Sequence, residues 1–294
     1  MTIIAAISAS RQGTAPLHLA AQIARSTGDQ VVAAAVVERP WPPRADPVED
    51  EYLGYVTSQA RQSLERMVGK LPAELDTWVV VHQSTSVPTG LTDLAAEIGA
   101  ELVVVGSSSF GLLGRVALGS VTERLVHTAA VPVAIAPRGY PLGPDPIRRL
   151  TAAYGGEADI NGLIPAAAEI ATRWSVPLRI VSFTVRSVRM FGGSIEPSAE
   201  DLVVQQWSRR THDDIVKQLN EVRERIAVRD VTVAVGSGHD WREAVESVPW
   251  VSGDILLMGS GAAGPLARVF LGSAASKILR QVPVPVMIVP APHA

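Results

Sequence analysis

Short runs of apolar residues alternate along the chain with longer segments in which apolar positions recur every three to four residues. The run at Val31–Val37 is apolar at every position, as expected for a strand that is buried on both faces of a parallel sheet. The first half of the chain contains five predicted strands: Thr2–Ile7, Val31–Val37, Trp78–His82, Leu102–Val105 and Val131–Ala136. The segments between them predict three helices: Pro16–Ser26, which Gly28 ends, Tyr52–Lys70 and Leu91–Ile98.

The second half of the chain shows the same alternation. Its predicted strands are Arg149–Tyr154, Leu178–Phe183, Val231–Val235, Ile255–Met258 and Val284–Val289. Its predicted helices are Leu163–Trp174, Asp201–Ile226 and Ala244–Val251. Strands that alternate with helices predict an α/β fold with two tandem Rossmann-like domains, each a five-stranded, mainly parallel sheet with helices on both faces.

The two halves are related by an internal duplication. The segment GSSSFGLLGRVALGS, which begins at Gly106, aligns without a gap with GSGAAGPLARVFLGS, which begins at Gly259. The runs VPVAIAP and VPVMIVP follow these segments at equal distances, and such self-similarity identifies a repeat. The Pro- and Gly-rich segment Arg138–Pro146 is the predicted linker. We therefore expect one domain over residues 1–140 and a second over residues 147–294.

The composition is that of a globular protein. Hydrophobic residues make up 47% and charged residues 19% of the 294 positions, so the chain can bury a core. The net charge of −3 gives no broad positive surface, and we therefore expect neither nucleic acid nor a membrane as a partner. The apolar runs are shorter than the ~20 residues that span a bilayer, and the lack of cysteine fits a reducing compartment, so we expect a cytoplasmic protein.

A loop rich in small residues, from Gly106 to Glu123, follows the predicted strand Leu102–Val105. A glycine-rich turn and a helix that begins at Gly119 and Ser120 would offer free N–H groups and a hydroxyl to a phosphate. Ser120 to Glu123 also match a capping box, in which Ser120 is the N-cap and Glu123 reaches back, without any ligand. The spacing favours capping, but the two roles are compatible because helix starts that need caps also bind anions.

The order of strand, glycine-rich loop, Gly-Ser helix start and VPV strand resembles the universal stress protein family, in the Rossmann-like, adenine nucleotide alpha-hydrolase-like superfamily. The tandem form of the family covers essentially the whole chain. Its nucleotide-binding members carry a G-x2-G-x9-G-(S/T) loop. The residues that match its two ends are Gly106, Gly119 and Ser120 in the first copy and Gly259, Gly272 and Ser273 in the second. Ser109 and Ala262 stand where the middle glycine is expected.

The resemblance implies a nucleotide site in each copy. In the first domain it implies Ile7, Ser8, Val36, Val105, Gly106, Ser108, Ser109, Gly119, Ser120, Val121 and Thr122, where Val36 belongs to the stretch VVERP and matches the valine of the family's adenine pocket. In the second domain it implies a weaker site formed by Gly155, Met258, Gly259, Gly261, Gly272, Ser273 and Ala274. ATP-binding members usually carry an Asp at the end of the first strand, and here Ser8 and Gly155 replace it.

The first copy keeps the better phosphate site, because Ser107, Ser108 and Ser109 can all donate hydrogen bonds. Arg115 and its equivalent Arg268 either neutralise phosphates or are exposed loop residues. The larger Phe183 stands at the adenine-side position of the second copy, where plugging the cavity is favoured over stacking on a base.

The function that the resemblance implies is a non-catalytic stress protein that binds an adenine nucleotide, ATP or AMP, favoured in the first domain. The alternative is an interaction scaffold that does not depend on nucleotide, since both copies lack the Asp and the middle glycine. A slow ATPase is a weaker third option, because no general base or metal-binding carboxylate is evident beside the loop, and no metal is inferred. In the family the final strands of two domains pair, so VPVAIAP and VPVMIVP would form a pseudo-dimer within one chain, and a homodimer is also compatible.

Overall fold

The structure, a computed structural model, describes residues 1–8, 13–40, 46–155, 162–185, 197–228, 230–260 and 273–290. For residues 197–205, 207 and 208 it describes the backbone only. The chain forms two compact units, Met1–Pro146 with Pro285–Pro290, and Ile147–Val284.

The first unit contains strands and helices in strict alternation. Its strands are β1 (Thr2–Ala6), β2 (Gln30–Glu38), β3 (Thr77–Ser84), β4 (Leu102–Gly106) and β5 (Val133–Ala136). Its helices are α1 (Ala15–Thr27), α2 (Pro47–Val68), α3 (Val87–Glu97) and α4 (Ser120–Thr128). The strands are in the order β3-β2-β1-β4-β5, and all four neighbouring pairs are parallel.

The second unit repeats this arrangement. Its strands are β6 (Arg149–Ala153), β7 (Leu178–Val185), β8 (Val231–Gly238) and β9 (Asp254–Gly259), in the order β9-β6-β7-β8 with parallel neighbours. Its helices are α5 (Leu163–Trp174), α6 (Pro197–Arg223), α7 (Trp241–Glu246) and α8 (Ser273–Gln281). The predicted α/β fold with mostly parallel sheet in two repeated halves is confirmed.

The last strand of the chain, β10 (Val286–Val289), lies in the first unit. It pairs antiparallel with β5, with Met287 opposite Ala134 at the centre of the register. This is the pairing expected between VPVMIVP and VPVAIAP. It covers the edge that β5 would otherwise expose, and such edges are sites of aggregation. By sequence β10 belongs to the second repeat, so its residues are exchanged into the unit formed by the first.

Several helix boundaries differ from those predicted from hydrophobic periodicity. α2 begins at Pro47 rather than at Tyr52, because Asp46 caps it through a hydrogen bond from the Val48 N–H (2.9 Å) and proline is favoured in the first helical turn. α7 begins at Trp241 rather than at Ala244, because Asp240 caps it through the N–H of Glu243 (2.8 Å). Polar caps extend both helices beyond their apolar stripes.

A single glycine lets α3 pack closely on the sheet. A Cβ at Gly90 would lie 2.8 Å from Cγ1 of Val36 and 2.8 Å from Cβ of Ser84. In the second unit the corresponding close contact is made by a glycine of the strand β8. A Cβ at Gly236 would lie 2.4 Å from the carbonyl oxygen of Ala244 on α7. In each half a glycine at the contact between helix and sheet therefore allows the packing density of a protein core.

The linker after β5 is held on α1 by side chains that recur along one face of the helix. His18 contacts the Tyr140 carbonyl oxygen through Nδ1 (2.9 Å), and Gln22 donates to the Asp145 carbonyl oxygen (2.9 Å). Arg25 donates to the Gly143 carbonyl oxygen, and the Tyr140 hydroxyl donates to Gln22. Burial raises the pKa of Tyr140 to about 12. The Pro- and Gly-rich linker thus has fixed partners within the first unit.

A buried charge cluster lies at the amino ends of strands in the second unit. Asp254 is fully buried and accepts two hydrogen bonds from Arg149, through Nε (3.1 Å) and Nη2 (2.6 Å). Arg179 is 3% exposed, lies 3.5 Å from the same carboxylate and stacks on Trp250 at 4.7 Å. Burial, together with the charge of Arg149, lowers the pKa of Arg179 to about 10. The cluster lies at the opposite strand ends from the loops that carry the candidate sites.

Candidate functional site

A cavity of about 950 Å³ opens at the carboxyl ends of the parallel strands in the first unit. The strand order β3-β2-β1-β4-β5 places β1 and β4 side by side, although β1 connects in sequence to β2. The crevice outside such a switch point is where open α/β sheets bind ligands. Ile7 beyond β1, Val36 of β2 and Val105 of β4 line the cavity, and all three are buried.

The cavity brings together all of the residues that the sequence implied for the first site. They are Ile7, Ser8, Val36, Val105, Gly106, Ser108, Ser109, Gly119, Ser120, Val121 and Thr122. These residues come from the ends of three strands and from the loop that leads into α4, so separate parts of the sequence meet at one place.

The loop after β4 is held in shape by its own hydrogen bonds. The Ser107 hydroxyl accepts from the Ala117 N–H (2.8 Å) and donates to the Ala117 carbonyl oxygen (3.3 Å), and the Ser108 N–H donates to the same oxygen (2.8 Å). The expectation that three serine hydroxyls are available to a phosphate is therefore wrong for Ser107. This hydroxyl closes the loop across ten residues and leaves ligand contacts to other groups.

The capping-box prediction for α4 is also wrong, by one residue. Gly119 is the N-cap (φ −100°, ψ 168°), and no side chain caps the helix. Ser120 is already helical, because the first backbone hydrogen bond of the helix runs from the Glu123 N–H to the Gly119 carbonyl oxygen (2.8 Å). The N–H groups of Ser120, Val121 and Thr122 precede this bond and have no backbone partner among the residues that the structure describes.

The residues that carry these uncapped N–H groups line the cavity together with Gly106 and Gly119. Thr122 is buried and its hydroxyl contacts the Gly106 carbonyl oxygen (3.4 Å), which fixes the start of α4 against the end of β4. A helix start carries a partial positive charge and unpaired donors. The loop end of the cavity is therefore suited to an anion, and the strand end, lined by buried apolar side chains, to an apolar group.

Further residues that sequence reasoning did not single out also line the cavity, among them Glu38, Tyr52 and Arg138. Glu38 ends β2 and accepts a hydrogen bond from the Val87 N–H at the start of α3 (3.2 Å). Arg138 follows β5 and donates through Nη1 to the Gly111 carbonyl oxygen (2.9 Å). Their positions in the sequence could have indicated this, because Glu38 stands one residue and Arg138 two residues beyond the end of a predicted strand. Arg115, the cation considered for the phosphates, does not line the cavity.

The second unit has a different arrangement at the equivalent strand ends. Of its implied site residues, Gly155, Met258, Gly259, Ser273 and Ala274 are described, while Gly261 and Gly272, like Ala262 and Arg268, lie outside the described residues. The register places Tyr154 and Phe183 where the first unit has Ile7 and Val36. Tyr154 is buried and its hydroxyl accepts a hydrogen bond from Gln218 (3.2 Å).

The ring of Phe183 packs on the position of Gly236, where a Cβ would lie 2.9 Å from its Cδ1 atom. A cavity of about 300 Å³ in the second unit is formed elsewhere, by residues of α5 and the end of α6 together with Gly162, Arg225 and Ile226. None of the described second-site residues lines that cavity. Larger side chains thus occupy the positions of the second unit that correspond to Ile7 and Val36.

The model of the universal stress protein family matches residues 1–137 and 147–290. The chain belongs to the universal stress protein family. A universal stress protein of Mycobacterium tuberculosis (Rv2319c) is 32% identical over 295 residues, which cover 99% of this chain and 100% of that protein. The solved structure of a putative universal stress protein from Pseudomonas aeruginosa UCBPP-PA14 matches with 15% identity and a TM-score of 0.57, over 99% of this chain and 93% of that chain.

A single-domain universal stress protein solved in complex with cAMP matches 47% of this chain and 98% of its own length, with 19% identity and a TM-score of 0.33.

Within the described ranges of the present chain, no group of three or more His, Asp or Glu side chains is arranged to hold a metal ion. Over the same ranges, no helix is both long and apolar enough to cross a membrane.

Proposed function

We propose that this universal stress protein binds an adenine nucleotide, ATP or AMP, in the cavity of its first unit and acts as a non-catalytic regulator. The observation that carries the proposal is the meeting of the eleven implied site residues around one cavity of about 950 Å³ at the switch point of the sheet. A volume of this size is in the range of small-molecule sites.

The two ends of the cavity suit the two ends of a nucleotide. The adenine end is formed by apolar, buried side chains of Ile7, Val36 and Leu91. The phosphate end offers Gly106, which brings backbone close to a ligand, and the uncapped first turn of α4. The geometry therefore does not depend on the missing Asp, whose position Ser8 takes, or on a middle glycine at Ser109.

The charged groups at the cavity favour binding over hydrolysis. Among the described lining residues only Glu38 and Arg138 carry a charge at neutral pH. Glu38 lies at the end of β2 and holds the start of α3, whereas the loop and α4 follow β4. A general base has to lie within hydrogen-bond reach of the attacking water, and Glu38 stands at the end of β2, two strand spacings from the loop that follows β4.

Regulation requires that the nucleotide prefer one conformation of the protein over another. Tyr52, Leu53 and Val56 of α2 line the cavity, so a bound nucleotide contacts a helix whose exposed face carries Val48 and Tyr55. We propose that the ligand fixes the position of the first turns of α2 and thereby changes the surface offered to a partner.

A nucleotide-independent scaffold is a second candidate, favoured by one observation. Phe110, Leu112 and Leu113 of the loop after β4 are 95%, 76% and 77% exposed, and clustered apolar side chains on a surface mark interaction sites. In that case the Gly119→Val variant would complement a strain that lacks the protein as well as the wild-type chain does.

The proposal is tested on the purified full-length chain. Mass spectrometry of the small molecules released on denaturation identifies a co-purified nucleotide, and calorimetry with ATP and AMP measures affinity for the emptied protein. We expect a released adenine nucleotide or saturable binding at one site per chain. The absence of both at millimolar ligand would refute the proposed function.

A further inference from the structure

We propose that Arg138 selects nucleotides that carry more than one phosphate, by placing its guanidinium beyond the start of α4. The inference rests on the proposed function, because it concerns the ligand of the same cavity.

Arg138 occupies the far side of the cavity from the adenine end. It lies two residues beyond Ala136 of β5, which is the register partner of Gly106 at the end of β4. Glu38 ends β2, and the strand order separates β2 from β5 by three inter-strand spacings, roughly 14 Å. The two charged lining residues therefore stand near opposite ends of the site.

The start of α4 lies between these two ends. A Cβ at Gly119 would lie 3.7 Å from Cβ of Ser108, and Thr122 contacts the carbonyl oxygen of Gly106, so the first turn of α4 sits over the end of β4. A nucleotide with its base beside Val36 places its first phosphate at this turn. Further phosphates then extend toward β5, where Arg138 is the charged lining residue.

The backbone and side chain of Arg138 are both anchored to the loop. Its N–H donates to the Arg115 carbonyl oxygen (3.2 Å), and its carbonyl oxygen accepts from the Gly114 N–H (2.9 Å). Its Nη1 donates to the Gly111 carbonyl oxygen (2.9 Å), whereas Nε and Nη2 have no hydrogen-bond partner among the residues described. Two nitrogens of a planar, permanently charged group, Nε and Nη2, thus remain for phosphate oxygens at a side chain that is already oriented.

The proposal distinguishes Arg138, which follows β5, from Arg115, which lies in the loop after β4. Arg115 bonds to Arg138 through its carbonyl oxygen, but its side chain does not line the cavity. A charge-assisted contact depends on the atoms that meet and not on the net charge of the loop. Arg115→Gln is therefore a matched control that removes one positive charge from the segment to which Arg138 is bonded, without removing a cavity residue.

The test is calorimetry of ATP, ADP and AMP with the full-length chain and its Arg138→Gln, Arg138→Lys and Arg115→Gln variants. Glutamine keeps a polar side chain with an N–H donor and removes the charge. We expect Arg138→Gln to raise the Kd of ATP and ADP about tenfold and the Kd of AMP less than about twofold, as for the loss of one hydrogen bond to a charged group. We expect Arg138→Lys to keep part of the preference for ATP and ADP over AMP, and Arg115→Gln to leave all three Kd values unchanged.

Each other outcome overturns the inference in a recognisable way. Equal weakening of all three ligands would show that Arg138 only shapes the loop, and an unchanged Kd for ATP would show that it does not contact phosphate. In both cases the wild-type chain still binds nucleotide, so the proposed function stands. A wild-type chain that binds none of the three refutes the proposed function together with the inference. Should Arg138→Gln not fold, as judged by circular dichroism, the lysine variant must still lower the ratio of the ATP and AMP affinities.

Discussion

Replacing Gly119 with valine puts a branched side chain at the N-cap of α4, in front of the N–H groups of its first turn. The backbone tolerates the change, because φ of −100° and ψ of 168° are extended values that any residue adopts. The nearest atom to a Cβ is Cβ of Ser108 at 3.7 Å, which is an ordinary van der Waals contact. The Cβ of the new side chain therefore fits beside Ser108 without forcing the loop to move, and its methyl groups add bulk at the N-cap.

The expected loss of nucleotide affinity follows from the donors that valine covers. If two N–H groups of Ser120, Val121 and Thr122 can no longer reach a phosphate, each lost hydrogen bond to a charged acceptor costs about 1.5 kcal/mol. The total of about 3 kcal/mol corresponds to a Kd roughly 150-fold higher. The cost in stability is smaller, about 1 kcal/mol, because valine is a poor N-cap residue and glycine a moderate one.

The assay compares calorimetric ATP binding and thermal unfolding for Gly119→Ala, Gly119→Val and a control, Gly143→Val. Gly143 lies in the linker, outside the cavity lining, and a Cβ there meets no atom within 4 Å. We expect affinity to fall in the order wild type, Ala, Val, while Gly143→Val binds as the wild type does. Unchanged ATP affinity in a folded Gly119→Val protein would refute the assignment of the phosphate site to α4.

Three further variants test the forces that hold the fold and the loop. Asp254→Asn leaves Arg149 and Arg179 close together without a counter-charge, so we expect the free energy of unfolding in urea to fall by about 3 kcal/mol; a loss below about 1 kcal/mol would contradict this assignment. Burial raises the pKa of Tyr140 from 10.0 to about 12, so the unfolded chain loses this proton first and stability falls between those pH values. Tyr140→Phe removes that part of the decline, and identical pH profiles of the two proteins would contradict it. Ser107→Ala removes the hydroxyl that closes the loop, and we expect hydrogen exchange of residues 108–117 to become faster; unchanged exchange would show that the loop does not need this bond.

The alternation of strands and helices could be predicted because the strands are apolar on both faces. β2 is buried from Val31 to Val37, which is the run that the sequence marks most clearly. The end of α1 was equally clear, since Gly28 adopts a φ of 76° that favours glycine. The start of α2 was missed because Asp46 and Pro47 act through capping and not through hydrophobic periodicity.

The candidate site was predictable in its membership but not in its chemistry. The resemblance to the family's loop motif assigned Gly106 and Gly119 to one site, whereas spacing alone favoured helix capping without a ligand. The role of Ser107 depends on a bond to Ala117, ten residues away, that local sequence does not reveal. The place of Arg138 in the cavity depends on the register of β5 against β4, which only the assembled sheet shows.

Hydrogen exchange with and without ATP tests the central claim most directly, because it reports where on the full-length chain a nucleotide acts. The account predicts slower exchange at residues 106–122 and at the end of β2, with the equivalent strand ends β6 and β7 of the second unit unchanged. Protection confined to β6, β7 and residues 273–281, or no protection anywhere at saturating ATP, would contradict it.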